Sequence, residues 1–188
     1  MIRGQIVVGY HGCDASLAED LVLGRKSLNP SKNAWDWLGH GIYFWEDNEI
    51  RARLWAEELA LREKSPVKEP AVVCAAINLG ECLQLTQVSA LESVREAHAT
   101  YLQNCEKMGA SPLQNRGPGL RARYLDCVVF EVLHADRKNT RLPPFDTVRG
   151  HFMEGEPLYE GAGLRINDHL QICVRNPVCI LGFFFPYE

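Results

Sequence analysis

The chain has 188 residues, of which 46% are hydrophobic and 23% charged, with a formal net charge of −4. This is the length of one domain and the balance of an ordinary soluble protein. The acidic balance excludes a general electrostatic pull toward nucleic acid or anionic lipid, so a polyanionic partner would need a local basic patch.

In chain order, Ile6–Tyr10 is a short β-branched run that predicts a strand ending at His11-Gly12. Ser16 and Glu19 have capping-box spacing and predict a helix through Leu17 and Leu21 that stops at Gly24. Arg25–Leu38 is polar and turn-rich, a surface loop, and Ile42–Trp45 is a second strand. Asp47 or Asn48 caps a helix to about Lys64, with Ala52, Trp55, Ala56 and Leu59 along one side. Val72–Ile77 predicts a strand buried on both faces, and Val88–Met108 and Leu120–His134 are helical in period. Lys138–Leu164, rich in proline and glycine, reads mostly as loop. Leu170–Val174 and Val178–Phe185 read as strands of a hairpin turning at Asn176-Pro177. Strands at both ends with helices between them predict an α+β fold.

No apolar run approaches the roughly 20 residues of a membrane span, and Met1–Tyr10 lacks the apolar core of a secretory leader. Seven cysteines without a C-x-x-C pair suggest neither a disulfide framework nor a zinc site. They read as small buried residues in a reducing cytoplasm, with no metal and no membrane partner.

Three segments carry polar and aromatic residues that a plain core does not need. They are Tyr10-His11-Gly12, then Leu38-Gly39-His40-Gly41-Ile42-Tyr43-Phe44-Trp45 ahead of a helix with Ala52 and Trp55, and His169-Leu170-Gln171-Ile172-Cys173-Val174. Singly, each has an ordinary structural account. Together and in this order they resemble the ADP-ribosyltransferase superfamily, in particular its poly(ADP-ribose) polymerase branch, whose triad is His, Tyr and Glu. Close similarity is confined to the N-terminal third of the chain.

The resemblance implies one catalytic domain over residues 1–188, built of split antiparallel β-sheets flanked by helices with an NAD cleft between them. Cleavage of NAD passes through an oxocarbenium-like transition state, so the site must clamp the nicotinamide, hold the ribose and stabilise positive charge. By the resemblance, Tyr43 stacks on the pyridinium. Gly12 leaves space for the ring against the backbone, where its N–H and C=O pair with the carboxamide. His11 hydrogen-bonds a hydroxyl of the adenosine ribose.

Two positions depart from the pattern. Gln171 stands where the branch has its glutamate; an amide can bond a ribose hydroxyl but carries no charge and accepts no proton. Polymer elongation is therefore not expected. Arg51 stands where the branch has a serine, and it either reaches a phosphate of NAD or lies on the solvated face of its helix. Glu154 or Glu156, in the loop ahead of the third segment, either supplies the missing carboxylate or belongs to a solvated acidic turn. Arg116, Arg121, Arg123, Arg137, Lys138 and Arg141 form the basic cluster, which serves a nucleic-acid acceptor only if it shares a face with the cleft. The expected activity is mono-ADP-ribosylation of a protein or nucleic-acid acceptor, with NAD as co-substrate. The alternative is a catalytically weak or inactive NAD/ADP-ribose-binding module of the same fold. A third reading, transfer of an RNA phosphate to NAD, would use His40 and Arg51.

Overall fold

The computed structural model describes residues 4–187; residues 1–3, at the start of the Met1–Tyr10 stretch, and residue 188 of the expected unit lie outside the described residues. The first strand, β1 (Ile6–Asp14), runs on through His11 and Gly12 to an aspartate that caps α1 (Ala15–Val22). The cap is Asp14 and not Ser16: its carboxylate accepts the Ser16 N–H and hydroxyl and the N–H groups of Lys68 and Glu69. These donors hold the Asp14 carboxyl well below the usual carboxylate range. After the expected long loop come β2 (Ile42–Glu46) and α2 (Glu49–Ala60), the latter capped by Asn48, whose side chain accepts the Arg51 N–H.

Next, β3 (Pro70–Asn78) is apolar on both faces, as the run Val72–Ile77 predicted. It is followed by β4 (Cys82–Gln84) and α3 (Val88–Met108). The next helix, α4, spans Tyr124–Asn139, several residues later than its period suggested. Positive φ at Gly119 and Leu120, within a separate 3₁₀ turn at Pro118–Leu120, keeps that turn from continuing into the helix. The stretch read as loop contains β5 (Thr147–Phe152), whose alternation is masked by Arg149, Gly150 and His151. The chain ends in β6 (His169–Val174) and β7 (Ile180–Phe184).

The fold is α+β: among the described residues there is one seven-stranded sheet, in the order β4-β5-β6-β2-β1-β3-β7, with four α-helices. All neighbours are antiparallel except β4 and β5. The expected terminal hairpin does not form, since β6 lies between β5 and β2 while β7 pairs with β3. The reason is curvature. Thr147 at the start of β5 donates its hydroxyl to Leu79 O, just past β3, at 2.6 Å, so the two ends of the sheet approach each other. The Asp146 carbonyl accepts from Arg175 N and Asn176 N, and Asn176 caps a 3₁₀ turn at Pro177–Cys179, carrying the chain over to β3.

Side chains on one face of the sheet, among them Phe44, Ile77, Ile172 and Val174, form one core. On the other face α3 and α4 pack over Leu83, Val148 and Cys173, and α2 packs its Ala52 over Trp45 and Val72. Where two sheets were expected there is one, but it divides locally. β1 and β2 share only the pairs Gly9–Glu46 and Tyr10–Trp45, whereas β1 and β3 stay paired from Ile6–Asn78 to Asp14–Pro70. Beyond Tyr10 the sheet therefore forks, β1 following β3 and β2 following β6. Among the described residues, no helix is long and apolar enough to cross a membrane.

Candidate functional site

The fork decides which main-chain groups are free. Asp47 N–H donates to Val8 O at 3.1 Å, so the polar groups of Val8 face β2. By alternation along an antiparallel strand, those of Tyr10 and Gly12 face the same way. The register would pair Gly12 with Tyr43, but the ladder stops at Tyr10–Trp45. Gly12 therefore directs its N–H and C=O into the fork.

Its missing side chain has a different use from the one expected. A Cβ on Gly12 would stand 2.1 Å from Ala52 O and 3.1 Å from the Ala56 Cβ. That space belongs to α2, so the glycine serves close helix–strand approach and not a ring lying against its Cα.

His11 bridges the fork: its Nδ1 lies 2.8 Å from the Tyr43 carbonyl oxygen. A carbonyl only accepts, so Nδ1 carries the proton and Nε2 is left as an acceptor. Burial lowers the His11 pKa from its ordinary value, which keeps the ring neutral. The imidazole stands 5.6 Å from the Phe44 ring, on that side of the sheet.

Tyr43 points to the helix-bearing face. Its hydroxyl donates to Gly39 O at 2.6 Å and accepts the Leu38 N–H at 2.8 Å, and its half-buried ring packs against the core under α3 and α4. Burial raises the phenol pKa far above its usual value. Gln171 lies opposite Trp45, two positions along from the Tyr43–Cys173 pair, on that same face. Thus Tyr43 and Gln171 share a wall, while the His11 imidazole reaches the fork from the other side and joins them through the Tyr43 main chain.

Gly41, in the second segment, lets β2 approach β6: a Cβ there would stand 2.4 Å from the Cys173 Sγ. His40 between the two glycines is a structural residue. Its N–H donates to Glu131 Oε1 of α4 at 2.9 Å, and Arg175 bonds both the His40 carbonyl and Glu131. It does not join Arg51, as phosphate transfer would ask.

Beside Gln171 lies a cluster that residue spacing did not foretell. Arg51 is 7% exposed and Glu154 11%, with Arg51 Nη2 donating to Glu154 Oε2 at 2.7 Å. Arg121 Nη2 holds the other carboxylate oxygen at 2.9 Å. His169 Nδ1 donates to Asn167 O at 2.7 Å and lies 3.9 Å from Glu154 Oε2. Burial lowers the His169 pKa as well. Arg51 lies over the Trp45 ring at 5.7 Å, and His169 is flanked by Trp37, Trp45 and Phe152. Arg51 is therefore not on a solvated face, and of the two acidic candidates Glu154 turns inward while Glu156 is exposed.

Four polar atoms here are buried without a hydrogen-bond partner: Arg51 Nε, Trp45 Nε1, His169 Nε2 and Gln171 Oε1. An unmet buried donor or acceptor costs about 1–3 kcal/mol, so their concentration at one spot marks a place built for something besides stability.

The basic cluster divides. Arg121 and Arg123 adjoin the site, Arg123 lying over the Trp37 ring at 4.2 Å and bonding Asp126. Arg137, Lys138 and Arg141 stand near the other end of α4, roughly 21 Å away at 1.5 Å per residue. A hollow of about 460 Å³ adjoins the cluster, between Trp37, Phe152, Arg123 and the facing sides of α3 and α4, and another of about 940 Å³ lies beside Arg141, Arg175 and Pro177. Neither is lined by His11, Tyr43 or Gln171.

The cysteines are free, and all but the half-buried Cys82 are buried. Burial pushes the Cys173 thiol up to about 12, far from a nucleophile's range. Among the described residues no group of three or more His, Cys, Asp or Glu side chains could hold a metal ion. Comparison of the chain with protein-family models, with curated proteins and with solved structures finds no match.

Proposed function

We propose that the chain binds NAD at the fork between β1 and β2, breaks its nicotinamide–ribose bond and transfers ADP-ribose to a protein or nucleic-acid acceptor. The observation that carries this reading is the end of the β1–β2 ladder at Tyr10–Trp45, where His11 takes the Tyr43 carbonyl and Gly12 turns its N–H and C=O toward the fork without a ladder partner. That donor–acceptor pair matches a carboxamide, which offers one carbonyl and one NH₂. The neutral His11 Nε2 can accept a ribose hydroxyl, and the Tyr43 ring supplies the aromatic face on which a pyridinium would stack.

In the reaction the C1′–N bond breaks with its electron pair leaving on nicotinamide, and an acceptor lone pair closes on C1′ as the acceptor loses a proton. Gln171 Oε1, buried without a partner, turns the negative end of a dipole toward the developing cation. It takes no proton, so the acceptor must already be nucleophilic.

The test is nicotinamide release from NAD with cell extract as acceptor, followed by chromatography. His11→Ala and Tyr43→Ala are each expected to lower the rate at least about tenfold, the loss of one site contact. Equal rates in wild type and both variants would remove the reading. One feature favours a second reading, a module that binds NAD or ADP-ribose without cleaving it: the amide of Gln171 in place of a carboxylate. Tight NAD binding by calorimetry with no nicotinamide released over hours would select it.

A further inference from the structure

We propose that Arg51 and Arg121 form the seat of a diphosphate, and that Glu154 occupies this seat in the ligand-free chain and leaves when a dinucleotide binds. The inference rests on the NAD reading, whose ligand carries two phosphates between its ribose rings.

A carboxylate gripped by two guanidinium groups is a small anion in a two-point clamp. Both oxygens are used, Oε2 by Arg51 and Oε1 by Arg121. Guanidinium forks fit phosphate oxygens as well as they fit carboxylates. The clamp is also incompletely used. Arg51 Nε is buried and unpartnered, and so is Trp45 Nε1 beside it, two N–H donors without an acceptor. A carboxylate has two oxygens for these groups; a diphosphate has more acceptors and more charge.

Glu154 is placed to move. It sits at the base of the 153–168 excursion between β5 and β6, where Asn167 N donates to Glu154 O. The rest of that excursion is held by bonds among its own residues, such as Leu158 N to Leu164 O. Its outer side chains, Leu158, Tyr159 and Leu164, are exposed and anchor it to nothing. The excursion can therefore swing as a unit, and with Glu154 displaced the space beside Gln171 opens to the ribose.

The experiment is calorimetric titration of ADP-ribose, inorganic pyrophosphate and adenosine into wild type, Glu154→Gln and Arg121→Gln, with circular dichroism as a check on folding. Arg121 is 58% exposed, so its replacement leaves the fold intact. Glu154→Gln removes the competing charge and is expected to bind ADP-ribose and pyrophosphate about tenfold tighter. Arg121→Gln is expected to bind both about tenfold more weakly, and adenosine, which has no phosphate, responds to neither change. Equal or weaker ADP-ribose binding by a folded Glu154→Gln chain overturns the proposal. If that variant does not fold, unchanged affinity in Arg121→Gln overturns it alone. Pyrophosphate following the expected pattern in a chain that never cleaves NAD keeps the anion seat and removes the transferase reading. His11-dependent cleavage that ignores both substitutions does the reverse.

Discussion

The His11 imidazole bonds the carbonyl that a continued ladder would have assigned to the Gly12 N–H: Nδ1 stands 2.8 Å from Tyr43 O, one pair beyond the last β1–β2 register match. A side chain thus ends the pairing of two strands. Removing it should let them close. In His11→Ala, hydrogen exchange of the Gly12 amide is expected to slow by about tenfold or more as it gains the Tyr43 carbonyl. Exchange as fast as in wild type would show that the strands diverge for another reason.

Gly12→Ala tests the other role of the same region. The added methyl meets Ala52 O at 2.1 Å, and backbone cannot step aside cheaply. The expected destabilisation is about 2–3 kcal/mol, read as a lower denaturant midpoint at constant m-value. A loss under half of that would mean α2 is free to shift along the sheet.

The Tyr43 ring and hydroxyl act on different properties. Tyr43→Phe leaves the fully buried Leu38 without a partner for its N–H and leaves Gly39 O with only the weak Cys173 thiol donor. This should cost about 1–3 kcal/mol of stability. It keeps the aromatic face, so NAD affinity should fall less than in Tyr43→Ala. Equal losses of affinity in both variants would assign binding to the hydroxyl and its loop.

Gln171→Glu places a carboxylate beside Trp45, over which Arg51 lies. On the proposed chemistry it should raise NAD hydrolysis or self-modification by about tenfold, because a charge stabilises the oxocarbenium better than an amide dipole. Turnover that is unchanged or lower in nicotinamide-release assays would count against Gln171 as the group facing the ribose.

Acid should unfold this protein sooner than its carboxylates alone would require. Burial and the neighbouring Arg175 charge push His134 down to about 4, and burial lowers His11 and His169 too. In the unfolded chain such a group titrates near 6.5. Between these values the unfolded state binds more protons, so stability is present above the upper value and is lost as pH falls toward the lower one. Thermal scans at stepped pH should show His134→Gln recovering about 2 kcal/mol of that loss near pH 4. A pH profile identical to wild type would mean His134 is already protonated in the fold.

Much of the architecture was readable along the chain because it is governed by neighbours. The period of Val88–Met108, the double-sided apolar run of β3 and the α+β order each follow from residues a few places apart. β5 was not readable, since its Arg149, Gly150 and His151 take their places from contacts far off: Arg149 pairs with Glu46 across the sheet, and Gly150 packs under Leu38 and Leu85.

Residue order also settled that Tyr43 and Gln171 would stand at strand positions, because alternation is a local rule, while the strand read to end at His11-Gly12 runs on to Asp14. Only the folded sheet decided that β1 and β2 part after Tyr10, that β7 crosses to β3, and that Arg51, Arg121 and Glu154 converge from three distant stretches. Ion pairs and forks depend on which strands become neighbours. That depends on how the whole sheet curls, a property no window of the chain contains.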